Sequence, residues 1–135
     1  MHHPLSTFLL ALCAACAPIP PDAQVPLAPD AVDSRDGLYR LELEAVPQPY
    51  IAGRTAELYI EVASEGGLDP TAEVSVKPWM PDHDHGISPG PVVEVDGDGR
   101  LRAEWVFSMP GYWELTLQLD GVAGSDRAVV AYEVD

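Results

Sequence analysis

Cysteine is almost missing from this chain. There are 2 Cys, Cys13 and Cys16, and both fall within the first sixteen residues. From Ala17 onward no disulfide, thiolate metal site or cysteine nucleophile can form, so packing has to supply stability. Basic residues are nearly as scarce: 7 Lys and Arg stand against 22 Asp and Glu, for a formal net charge of −15. A surface this acidic repels phosphate backbones, which argues against nucleic-acid binding. Anionic membrane surfaces are poor partners for the same reason, whereas metal cations and basic proteins are attracted. There is no apolar run long enough to cross a bilayer, no internal repeat and no segment with a convincing helical stripe. No Gly-x-Ser-x-Gly surrounds any serine, so a serine hydrolase has no support. Asp96-Gly97-Asp98-Gly99 lacks the ligand spacing and closing Glu of a calcium loop and reads as a tight hairpin turn. An enzyme has no positive support.

The N-terminus has an export pattern. Leu5–Ala15 is an apolar run of signal-peptide length, and small residues lead into Cys16. This resembles a bacterial lipoprotein signal over 1–16, with Cys16 as the lipid attachment. Two features depart from the usual pattern: Cys13 stands where Leu is expected, and no Lys or Arg precedes the apolar run. Residues 17–36 are rich in Pro, Ala and Asp and read as a semi-rigid linker. The expected location is the bacterial cell envelope, on the periplasmic side, with the membrane touched only through the lipid.

From Gly37 the chain alternates. Tyr39, Leu41, Leu43 and Ala45 oppose Arg40, Glu42 and Glu44, four of the six later runs between Thr55 and Val134 read in a similar way, and RAVVAYEV reads as the last strand. Val92 to Val95 form a shorter run. One apolar and one polar face per strand marks antiparallel sheets with one side wet. About seven short strands in a hundred residues is an immunoglobulin-like β-sandwich pattern, here over 37–135. The Cys…Trp…Cys signature of antibody domains is absent, and Trp105 and Trp113 read as core.

The most chemical stretch is Lys77–Pro91, KPWMPDHDHGISPGP, which holds both histidines that follow the signal. Its prolines stiffen the connection after the third long strand, read here as 78–91. In extended backbone, His83 and His85 send both imidazoles to one side. Imidazole suits Cu, Zn, Ni and Fe, and thioether selects Cu(I). Met80 precedes His83 by three residues, and the corner FSMPGYW supplies Met109. Loops of a sandwich cluster at its two ends. Met80, His83, His85 and Met109 therefore form a candidate two-nitrogen, two-sulfur site, with Trp79 as a π-face cover. The same residues also read as a solvated polar turn with two methionines filling the end of the core. The competing function is a structural or protein-interaction module that uses the 78–91 loop as its recognition edge.

The runs Pro78-Trp79-Met80-Pro81…His85-Gly86, Pro91-Val92-Val93, Gly97-Asp98-Gly99 and Phe107-Ser108-Met109-Pro110-Gly111-Tyr112-Trp113-Glu114-Leu115 resemble the YtkA-like domain, related to FixH-like domains. The resemblance implies an exported immunoglobulin-like sandwich associated with copper handling or oxidase assembly. It implies a copper ion as cargo and an envelope protein as partner. Asp82 and Asp84 flank the histidines where many members have a Met-rich or Gly-containing loop, which argues against a pure Cu(I) preference and admits Cu(II) or Zn(II).

Overall fold

A computed structural model describes residues 24–135. The expected signal peptide, Cys16 with its expected lipid, and the first part of the expected linker lie outside the described residues. Among the described residues the regular structure is ten β-strands and one short 3₁₀ turn. Strands β1 (Ala31–Asp33), β2 (Arg40–Val46), β3 (Thr55–Ser64), β8 (Leu101–Val106) and β7 (Val92–Val95) lie side by side in that order, with β4 (Gly67–Leu68) also paired to β3. The second sheet is ordered β10 (Gly124–Val134), β9 (Gly111–Gly121), β5 (Glu73–Met80) and β6 (His85–Gly86). All of these strand pairs are antiparallel.

The period-two reading accounts for this architecture. Leu41, Leu58 and Ile60 from one sheet, with Phe107 just past the end of β8, meet Trp113, Leu115, Leu117, Leu119 and Val130 from the other, and all are fully buried. Burying each such side chain contributes roughly 1.5–3 kcal/mol, so the packed layer needs no cross-link. All seven expected runs become strands, which makes the chain an immunoglobulin-like antiparallel β-sandwich. The 96–99 segment is a tight turn as expected: Gly99 N–H donates to Asp96 O at 2.9 Å and Asp96 N–H to Arg100 O at 2.6 Å.

Three short strands escape the sequence pattern. The first, β1, falls inside the expected linker: Ala31, Val32 and Asp33 pair with Glu42, Leu41 and Arg40. Just before it, Ala28 N–H donates to Ala131 O at 2.7 Å, and Ala131 N–H donates to Pro26 O at 2.8 Å. The chain from Pro26 is thus fastened along the edge of β10 rather than forming a free tether. The 78–91 connection also starts later than expected. Pro78 and Met80 are buried members of β5, and the chain turns only at Pro81. Proline is tolerated there because β6 pairs with only the last two residues of β5, leaving the rest of that side as a sheet edge.

The end of the sandwich away from Met80 is held by two buried carboxylates. Asp126 accepts hydrogen bonds from Ser34 Oγ at 2.6 Å and from the Asp36, Leu38 and Arg127 N–H groups. Asp69 accepts from Val122 N–H at 2.9 Å and from Thr71 Oγ1 at 2.7 Å. Such acceptor sites satisfy turn donors that would otherwise be buried without partners.

Candidate functional site

Met80 ends β5, and strand alternation decides which way it points. Val74, Val76, Pro78 and Met80 are buried while Ser75, Lys77 and Trp79 face outward. After Met80 the chain makes one 3₁₀ turn, Pro81–His83, and reverses at Asp84, whose φ of 53° and ψ of 45° are left-handed. Aspartate is among the residues that tolerate this conformation. The reversal brings β6 back against β5, so that His85 sits opposite Met80 and Gly86 opposite Trp79. Cross-strand partners share a face, which puts the His85 ring on the inner side with Met80.

There His85 meets the corner between β8 and β9. Its Nε2 lies 3.2 Å from Met109 Sδ, and its Nδ1 lies 3.0 Å from Gly86 O. A carbonyl oxygen can only accept, so the proton of a neutral ring belongs on Nδ1. Nε2 then turns a lone pair toward the thioether sulfur. The metal-bearing nitrogen of a histidine is commonly fixed by this kind of hydrogen bond from the other nitrogen. On bond lengths of about 2.0 Å to nitrogen and about 2.3 Å to sulfur, two donors on one tetrahedral ion stand about 3.5 Å apart. The observed separation is close to that value. The ring nitrogen and the thioether sulfur are thus in direct contact, and both are donor types that soft cations accept.

Two residues beyond the expected set shape this corner. Trp113 donates from Nε1 to Met109 O at 3.1 Å, and its ring stands edge-on to His85 with centroids 5.4 Å apart. It therefore fixes the backbone of one donor and packs on the other. Gly111 has a φ of +129°, and a Cβ there would lie 2.6 Å from Met80 Cε. Its missing side chain leaves the room that the Met80 thioether fills. The sequence pattern puts Trp113 in the core, where it is fully buried, and does not single out Gly111. The spacing Met109, Gly111, Trp113 was the available signal, since alternate residues entering a strand share a face.

The expected set is therefore brought together in part. His85, Met109 and Met80 converge at one end of the sandwich. His83 stands at the exposed rim, with its ring centroid 6.1 Å from that of His85. The two rings are close for a different reason than expected: the backbone between them is a left-handed turn, not an extended segment. Trp79 does not cover the site. It is one residue out of phase with Met80, lies on the outer face over Gly86 and is 37% exposed. Asp82 and Asp84 are exposed on the turn. Among the described residues no group of three or more His, Cys, Asp or Glu side chains is arranged for a metal.

No curated protein matches the chain. A family model described as YtkA-like matches residues 35–118, which takes in the β5–β6 turn, the Met109 corner and most of both sheets. The chain belongs to the YtkA-like family.

Proposed function

We propose that this protein carries a single copper ion in the bacterial cell envelope, held at one end of the sandwich by His85 and Met109 with Met80 beside them. His83 is the rim ligand that completes or releases the coordination. Copper is cargo here, and the protein acts as a carrier, buffer or assembly accessory rather than as an enzyme. The observation that carries this reading is the His85 Nε2 to Met109 Sδ approach at 3.2 Å, with Nδ1 directed at Gly86 O. One imidazole and two thioethers, without a thiolate, form a donor set suited to Cu(I). The acidic domain raises the local concentration of any cation approaching this end. Lipid attachment at Cys16 and the chain between it and Pro26 would hold the domain at the membrane surface.

The test is an anaerobic Cu(I) titration of the purified protein against a competing chelator, beside His85→Ala and Met109→Leu variants. One tight equivalent is expected in the parent. Exchanging Met for Leu nearly conserves volume and typically costs less than about 1.5 kcal/mol of stability. Met109→Leu should therefore stay folded while binding Cu(I) weakly. Trp113 fluorescence gives a second readout, because its ring touches the proposed ligand. Equal Cu(I) affinity in the parent and both variants would end the copper reading.

A further inference from the structure

The outer face of the same strands carries a second feature. Trp79 lies opposite Glu114 in the β5–β9 register, and Tyr112, two residues before Glu114, lies opposite Glu133 of β10. These four side chains share one face at the metal end. Tyr112 Oη lies 3.3 Å from Glu114 Oε1. Burial first, and then the charges of Glu114 and Glu133, push the Tyr112 hydroxyl up.

The charges on the two sheets are arranged differently. On the six-stranded sheet Glu44, Glu57 and Glu104 are met by arginines, Arg100 pairing with Glu44 at 3.0 Å and Arg102 with Glu57 at 3.0 Å and also with Glu104, while Glu42 and Glu61, opposite each other, carry no ion pair among the described residues. Among the described residues no cation pairs with Glu114 or Glu133. Lys77 faces the same way as Trp79 but stands opposite Thr116 and forms no ion pair. The patch is therefore a half-exposed indole and a phenol ring flanked by two carboxylates free of counter-charge. That chemistry attracts a guanidinium or ammonium group, through the ring face and the carboxylates together.

We propose that Trp79, Tyr112, Glu114 and Glu133 form the docking surface for an arginine- or lysine-bearing face of the protein that gives or receives the metal. This deepens the copper reading and rests on it for the partner's role, but the contact itself needs no metal. Trp79 and Met80 are consecutive, so a partner seated on the indole lies one residue from a proposed ligand. The whole chain's formal net charge of −15 favours a basic partner over a second copy of this chain.

The experiment is an amide NMR titration of the purified, metal-free protein with a nine-residue peptide of alternating Arg and Gly, using the Glu-Gly counterpart as control. The largest shifts are expected at the Trp79 indole N–H, Tyr112 and Glu114. A Trp79→Ala, Glu114→Gln double variant should weaken binding about fivefold, from loss of one ring contact and one ion pair. Glu133→Lys, a single exposed change, should weaken it in the same direction and serves if the double variant loses its native spectrum. A Glu42→Gln, Glu61→Gln pair on the other sheet should leave affinity unchanged. Shifts centred on that other sheet, or affinity equal to the parent in both patch variants, would overturn the proposal. The two readings separate in the Met109→Leu protein. Peptide binding there without Cu(I) binding leaves the patch standing alone. Cu(I) binding in the parent without the mapped peptide contact sinks the patch and spares the metal site.

Discussion

Gly111 is the position where a single atom has the most leverage on the site. Its absent Cβ would stand 2.6 Å from Met80 Cε, and its φ of +129° is one that other residues adopt only under strain. Gly111→Ala should therefore cost about 1–3 kcal/mol in denaturant unfolding, from overpacking and backbone strain together. Displacing the Met80 thioether should also weaken Cu(I) binding about tenfold, the low end of what supporting residues contribute at metal sites. Shortening the neighbour as well, in Gly111→Ala with Met80→Ala, should recover part of the overpacking cost but none of the copper affinity. A Gly111→Ala protein with parent stability and parent affinity would show that the Met80 side chain can turn away at no cost. At this scale the sequence was half legible. Met80, His85 and Met109 could be picked out because they combine rare residue types in one place. That Trp79 faces the other way follows from the period of two, but Pro78 masks the continuation of β5 to Met80.

Whole elements were the most legible level where they are long, and the least where they are short. The long runs announce their strands because each buries a row of apolar side chains, whereas β7, mostly exposed, shows only as a short valine-rich run. The short β1, β4 and β6 hold two or three residues each, too few to show a period, and they exist because a neighbouring strand offers free backbone groups. What binds β1 and the chain around it is partly one carboxylate. Burial pushes the Asp126 carboxyl up, but hydrogen bonds from Ser34 Oγ and from the Arg127, Asp36 and Leu38 N–H groups outweigh it and hold it below the usual range. A folded pKa below the unfolded one gives stability that is present above the ordinary value of about 3.9 and lost as pH falls through the lowered folded value. Asp69, held low by Val122 N–H and Thr71, acts in the same direction. Thermal midpoints should fall steeply below about pH 4, and Asp126→Asn should flatten that fall while lowering the midpoint at pH 7. An Asp126→Asn protein with the parent's acid profile would show that this carboxylate does not set the acid limit.

For the whole molecule, the dominant fact is the imbalance of 7 basic against 22 acidic residues. Its surface ion pairs are worth about 0–1 kcal/mol each and are weakened by salt. Repulsion among the remaining carboxylates is also screened by salt, and with so few cations the repulsion outweighs the pairs. Raising NaCl from about 0.05 M to about 0.5 M, which shortens the screening length well below 10 Å, should raise the thermal midpoint. A gain of 1 kcal/mol corresponds to about 4–8 °C in a domain of this size. A midpoint that falls with salt would show that the Arg100 and Arg102 pairs stabilise more than the carboxylate repulsion destabilises. The adjacency of Trp79 and Met80 also bears on how such a chain can diverge. Because neighbouring strand residues face opposite ways, one inserted or deleted residue upstream of Trp79 within β5 would turn the sulfur to solvent and the indole to the interior in a single event. Lengthening the turn after Met80 leaves that pair untouched. The phase of the strand is thus held more tightly than the length of the turn, and relatives of this chain should differ in the number of residues between Met80 and His85 long before they differ in the phase of the strand that precedes them.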